Sequence, residues 1–474
     1  MRSSSILFLR RYIMTQKSES TNRLLSGHMS TIQLIRYVLP TVITVVFACL
    51  YGIIDGIFVS NVGGNDAFAA INLITPLFLI FSSFGMMFGT GGNAIVSKLR
   101  GEGKDKEAQQ VFSTLTAAVI VLGVIITIVL ELFLDNILLL LGATDTMMPL
   151  CMAYGRVLTP FIVCYLLQFY FQNMLVTAGK GMLGFIMTLA AGFSNIIGDA
   201  VLVGVLAKTP QQAISGAAAA TVFGLIIGGA VPFVYFLFKN SSFLRLVKPI
   251  FDLKVIVQTC SNGVSEFLSN ISGALMNTVF NGLLLYIVGQ IGVSAYGSIG
   301  YVNTIFSAIF MGYSIGIAPV IAYKYGQGDT EELKYLYKKS LIIIAVSSVA
   351  MMILGEIMAR PVADIFSAGN QELVHMTVVG FEIYAISFLF KGINTFGSAF
   401  FTALNNGLIS GVLAVLRALV FSIGTVLILP IVFYLYYGPD TALLGIWWSV
   451  NYSEFFALIV TILFLRANHK KYHY

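Results

Sequence analysis

The chain has 474 residues, 58% of them hydrophobic and only 10% charged, with a mean hydropathy of +0.90. Soluble proteins are about 25% charged; no soluble core encloses this much apolar surface, so lipid must cover part of it. The formal net charge of +6 does not point to nucleic acid, because the basic residues gather in short loops, and phosphate-loop, dinucleotide and HExxH signatures are absent.

Residues 1–30 carry a short apolar patch, Ile6–Leu9, between Arg2 and Arg10–Arg11. It is too short to span a bilayer, and the stretch reads as a disordered cytoplasmic tail. Apolar segments of membrane-crossing length follow at 35–59, 67–91, 111–134, 150–178, 182–206, 212–238, 255–288, 292–322, 340–361, 373–404, 407–436 and 440–466. The expected fold is thus all-α, with twelve transmembrane helices. Pro40, Pro76, Pro160, Pro232, Pro319 and Pro430 fall within or near the ends of these segments, where neighbouring helices stabilise kinks.

Of the 27 Lys and Arg, 22 fall in tails and loops on one side, while the other side holds only Lys208 and Arg360. Arg156, Lys391 and Arg417 sit within helices. This bias predicts a multi-pass protein of the cytoplasmic (inner) membrane with both termini cytoplasmic. The four cysteines, Cys49, Cys151, Cys164 and Cys260, form no CxxC pair and read as small buried hydrophobes.

The chain repeats itself. Ala94–Phe112 resembles Pro319–Tyr337: each ends an apolar helix, crosses a basic Gly-x-Gly turn and enters an acidic helix start. Gly101 pairs with Gly326 and Gly103 with Gly328 at an offset of 225, and the same offset pairs Thr177–Ala178 with Thr402–Ala403. The predicted organisation is a tail (1–30), a six-helix lobe (31–238), a cytoplasmic linker (239–254), a second six-helix lobe (255–466) and a short cytoplasmic tail (467–474). Two-lobe repeats are a transporter signature, with the substrate site between the lobes near the midplane.

Ionisable groups within the segments are costly in lipid and usually functional. The first lobe offers Asp55 and Asp199, with Asn195 one helical turn before Asp199 on the same face. Two carboxylates and an amide oxygen suit a proton or a sodium ion better than a soft metal. The bland alternative for Asp55 is a helix end in interfacial water. The offset carries Asp55 to Phe280 and Asp199 to Gly424, which confines this chemistry to the first lobe. The second lobe has Glu266, Glu382, Lys391, Arg417 and Glu454. These form either structural ion pairs or carboxylates that attract a cationic substrate, Glu266 and Glu454 being the best placed. The many Phe, Tyr and Met suit flat cations wherever they line a cleft.

Several stretches together resemble the multidrug and toxic compound extrusion (MATE) family. The segment LPTVITVVFACLYGIIDGIFVSNVGG, with Pro40 and Asp55, is similar to the family's first helix. GTGGNAIVSKLRGEGKDKEAQQVF resembles its helix 2 to helix 3 turn, SNIIGDAVLV its helix 5 motif, and GVSEFLSNIS the opening of its helix 7. The resemblance covers about 30–466. It implies a V-shaped pair of six-helix lobes and a monomeric, non-enzymatic antiporter in the lipid bilayer, exporting organic cations and drugs against inward protons or sodium without a cofactor. It also implies a cation site at Asp55, Asn195 and Asp199, with Thr221 as a further ligand, and Pro40 as the bend in helix 1 linked to protonation. The chain departs from the pattern in lacking a clear helix 10 acid, for which Glu382 is a loose counterpart, and in carrying Lys391 there. Rival readings are a lipid-linked saccharide flippase of the same superfamily, an intramembrane aspartyl protease using Asp55 and Asp199, and a channel or receptor.

Overall fold

The computed structural model describes residues 27–366, 370–438 and 441–474, except for the side chains of 53–69. Asp55 and most of the expected N-terminal tail therefore lie outside the described residues. In lipid no water is available to backbone N–H and C=O groups, so a long apolar run closes its own hydrogen bonds as a helix. Among the described residues the helices are α1 (Thr31–Gly52), α2 (Ala70–Gly101), α3 (Asp105–Leu140), α4 (Met148–Thr177), α5 (Gly181–Val203) and α6 (Pro210–Leu237). They are followed by α7 (Leu253–Ile287), α8 (Gln290–Gln327), α9 (Thr330–Phe366), α10 (Gln371–Ala385 and Phe388–Ala403), α11 (Gly407–Tyr437) and α12 (Ala442–Tyr472). The two parts of α10 meet at 49°.

Eleven of these are long and apolar enough to cross a membrane, counting bent α10 as one. The remaining one, α7, spans 35 residues but is more polar, because Glu266, Ser269 and Asn270 turn toward an internal cavity instead of lipid. The expected segments match these helices in number and order, while several ends run further, α2 to Gly101 instead of 91 and α9 from Thr330 instead of 340. Helix α12 runs to Tyr472, past the expected boundary at 466, and Tyr474 is buried with its hydroxyl donating to the Leu465 carbonyl at 2.7 Å.

The repeat is visible as paired backbone crossings. A Cβ on Gly101 would run into the Tyr323 carbonyl oxygen, and one on Gly326 into the Lys98 carbonyl oxygen. Lys98 and Tyr323 are themselves separated by the offset of 225, so the ends of α2 and α8 cross symmetrically. Higher up, Gly91 meets Thr259 and Gly263 meets Met87 between α2 and α7. The related crossing of α8 on α1 places Gly316 against Val38 and Gly312 against Val42. Small residues let helices approach this closely in a bilayer. The turn glycines Gly103 and Gly328 also match, with φ of 77° and 73°.

The two halves are thus in contact at the end that bears the basic loops. Asn405 adds to the seam by donating to the Ala94 carbonyl at 3.2 Å and accepting from Asn262 at 2.8 Å. The connection between α6 and α7 lies along α3, with Gln109 donating to the Phe243 carbonyl and Arg100 3.8 Å above the Phe243 ring.

Candidate functional site: a central cavity and a buried polar cluster

Away from the closed seam, the halves enclose a cavity of about 520 Å³, within the usual range of roughly 300–1,000 Å³ for small-molecule sites. It is bordered by α1, α2, α4, α7, α8, α10, α11 and α12. Four of the five charged candidates of the second half, Glu266, Lys391, Arg417 and Glu454, line it together. A smaller cavity of about 250 Å³ adjoins it, sharing Val45, Cys49, Asn270, Met311 and Ile315. That part is lined by Tyr51, Tyr165, Phe169, Met86 and Met187 from the first half. The whole space is therefore polarised, aromatic and thioether on one side and charged on the other.

The charged side is ordered by a hydrogen-bond network. Arg417 lies in a π-helical stretch of α11, Leu416–Phe421, a local widening often found at functional sites. Its Nε donates to both Glu454 carboxylate oxygens at 3.1 and 3.0 Å, its Nη2 to Oε1 at 3.0 Å, and its Nη1 to the Thr395 hydroxyl at 3.1 Å. Asn394 donates to Glu454 Oε2 at 2.8 Å and to the Glu454 carbonyl at 2.9 Å. Arg417 and Glu454 thus form the structural ion pair the sequence allowed, and its geometry offsets much of the desolvation such a pair incurs. Lys391 is arranged differently. Its ammonium donates to the Asn303 amide oxygen at 2.6 Å and stands 5.8 Å from the ring centres of Tyr384 and Phe388. Among the described residues, neither Lys391 nor Glu266 has an ion-pair partner.

Glu382 does not join this group, either in the cleft or in an ion pair of the described residues. It stands exposed on the first part of α10, near enough to Glu356 for their charges to repel. Lys391 follows the 49° bend of α10 and reaches the cavity. Asn303 and Asn394 were not singled out in the sequence. Asn394 had a signal, lying three residues after Lys391 on one helix face; Asn303 is an isolated amide in apolar α8.

In the first half, Asn195 and Thr221 are brought together, the Asn195 amide donating to the Thr221 hydroxyl at 3.5 Å. Both line a cavity of about 370 Å³ with Tyr51, Asn72 and Thr75. Tyr51, Tyr165, Gln168 and Phe169 border it and the smaller central cavity alike. Asp199 is fully buried and opens a π-helical turn, Asp199–Val203, one turn beyond Asn195. The approach of α5 to α6 is set by Gly198, whose Cβ would stand 2.7 Å from that of Ala220. Pro40 lies inside α1, and the Thr44 hydroxyl donates to its carbonyl at 2.7 Å. That bond is local to the proline turn, where one backbone donor is missing.

Comparisons with known proteins agree with this architecture. The sequence model of the MatE family matches residues 40–201 and 266–428. The multidrug export protein MepA of Staphylococcus haemolyticus is 26% identical over 425 residues, covering 89% of this chain and 90% of that protein. MepA of Staphylococcus aureus is 26% identical over 442 residues, covering 91% and 92%. Among solved structures, a MATE protein crystallised in complex with MaL6 superposes with a TM-score of 0.88 at 20% identity, covering 95% of this chain and 98% of that one. An outward-facing multidrug resistance MATE family transporter of the MOP superfamily gives 0.87 at the same identity and coverage. The two matched stretches together take in well over half of the sequence and correspond to the two halves of the repeat, so the chain belongs to the MatE family, the multidrug and toxic compound extrusion family that its motifs resemble.

Proposed function

We propose that this protein is a secondary active exporter of organic cations and drugs, exchanging them for inward protons or sodium ions by alternating access. One observation carries the reading: two adjoining cavities between repeat-related halves, aromatic and methionine-rich on one side and charged on the other. Flat cations bind such surfaces through ring faces and adaptable thioethers. The names of the MepA relatives, at 26% identity over nine-tenths of the chain, point the same way.

In this reading Asp199, Asn195 and Thr221, with Asp55, take up the coupling ion. Their oxygens are hard donors suited to a proton or sodium. The shared border of Tyr51, Gln168 and Phe169 makes the ion cluster and the substrate space neighbours. Ion uptake then acts on α1, which bends at Pro40 and narrows the substrate space. The protein sits in the cytoplasmic membrane as a monomer, with both termini and the basic loops on the cytoplasmic face. The glycine crossings close that face. No step requires a catalytic residue or a cofactor.

The test is efflux of ethidium from cells lacking their main pumps, comparing wild type with Asp199→Asn at matched expression under imposed sodium or proton gradients. The reading expects gradient-driven efflux that the substitution abolishes. Full efflux by Asp199→Asn would remove that residue from coupling, and no efflux by wild type would remove the drug substrate.

A further inference from the structure

The charges of the central cavity offer a substrate more than a place for its cation. Arg417 and Glu454 cancel through their shared hydrogen bonds. Two charged groups of opposite sign remain without an ion-pair partner among the described residues, the carboxylate of Glu266 and the ammonium of Lys391. Lys391 has one neutral acceptor, Asn303 Oδ1, which the Ser307 hydroxyl also holds at 3.1 Å. An ammonium has three donors, so two remain for a ligand. An ammonium without an ion-pair partner within a membrane protein is costly, and a substrate that carries only positive charge leaves it in that state.

We infer that Lys391, oriented by Asn303, forms an anion subsite of the central cavity, and that the cavity selects dipolar substrates bearing both an amine or other cation and a carboxylate. The substrate cation is placed toward Glu266 and the aromatic side, and its carboxylate accepts hydrogen bonds from the free donors of Lys391. Both of the remaining charges are then paired by the ligand itself. The inference rests on the reading that substrates occupy this cavity, and it specifies their class.

Two rhodamines with the same ring system test it, one with a free carboxylate and one with that group as its methyl ester. Binding of each to detergent-purified protein is measured by fluorescence anisotropy, and export of each is measured in cells. Wild type is expected to bind the free acid about tenfold more tightly than the ester, the scale of one charge-assisted hydrogen bond. Lys391→Gln should bring the ratio close to one by weakening acid binding while ester binding holds or improves, and Lys391→Arg should keep the acid preference. A ratio near one in wild type, or an acid preference that survives in Lys391→Gln, overturns the subsite. Acid-selective, Lys391-dependent binding without export of either dye would leave the subsite standing and refute the transport reading instead. Export of the ester alone would support transport and refute the subsite.

Discussion

The symmetric glycine crossing makes a prediction about closure that does not depend on the substrate. In Gly326→Ala the new methyl group falls within contact distance of the Lys98 carbonyl oxygen on α2. An ordinary C···O contact is about 3.3 Å, so α2 and α8 must part by roughly 1 Å. The obstacle is backbone on both sides and cannot rotate away. Overpacking of this kind costs about 1–3 kcal/mol, which lowers the ratio of closed to open states by about 5–150-fold. Ser97, buried on α2 one turn before Gly101, is the reporter. With the four native cysteines replaced, Ser97→Cys should react slowly with a membrane-impermeant maleimide applied from the face of the basic loops. Adding Gly326→Ala should raise that rate at least fivefold. The control is Gly300→Ala on the same helix, where a Cβ meets nothing within 4 Å, and it should leave the rate unchanged. If Gly326→Ala and Gly300→Ala react equally slowly in folded, monodisperse protein, this crossing is not what closes that face.

Other consequences are simpler to measure. Removing one partner of the Arg417–Glu454 pair strands a buried charge, so Arg417→Met should lower stability by about 3–5 kcal/mol, and adding Glu454→Gln should restore part of the lost Tm in detergent. Tyr474→Ala removes a buried ring that packs on Tyr337 and Phe400, each 4.8 Å away between ring centres; a loss of about 3 kcal/mol is expected, and an unchanged Tm would contradict the docked end of α12. Burial opposes the charge of Asp329 in the turn between α8 and α9, but the Glu332 N–H and the Lys324 ammonium outweigh it and hold the carboxyl below its ordinary value. A depressed carboxyl stabilises the fold above its unfolded pKa, and this contribution is lost as the pH falls through the folded pKa. The Tm difference between wild type and Asp329→Asn should therefore be full at pH 7 and close below about pH 4, and a difference independent of pH would refute the account.

Most of the scaffold was legible in the sequence because lipid imposes a single solution on long apolar runs. The segments 35–59 through 440–466 located all twelve helices, including polar α7, and the Gly-x-Gly turns exposed the repeat. The sequence did not show what each polar side chain faces. Glu382 and Lys391 lie nine residues apart in one apolar segment, yet the break near residues 386–387 leaves one exposed and the other in the cavity. The partnership of Arg417 with Glu454 joins residues 37 apart, and no local spacing announces it. Asn195 and Asp199 were recognisable from their one-turn spacing, whereas the contact of Asn195 with Thr221 depended on the packing of α5 on α6.

The repeat also shows where symmetry stops. At an offset of 225 the crossing glycines Gly91 and Gly101 recur as Gly316 and Gly326, and the charged groups of the cavity and of the ion cluster do not recur. Lys391 corresponds to Leu166, which is fully buried in the core of the first half. Arg417 corresponds to Gly192, where a Cβ would lie 2.6 Å from the Phe47 ring. Glu266 corresponds to Thr41, and in the other direction Asp199 corresponds to Gly424, which has open space around it. At Leu166 and Gly192 close packing in the first half thus stands where the second half holds a charge. A two-lobed scaffold with the same crossings on both sides can rock as two similar bodies while each lobe carries different chemistry. That division matches the proposed roles, with the coupling ion in the first half and the charged part of the substrate site in the second. Transplanting charge across the repeat, as in Leu166→Lys, should then fail to create a second anion subsite, because position 166 faces packed side chains and no cavity; the expected result is loss of folded protein, and a folded variant with doubled acid binding would refute the division.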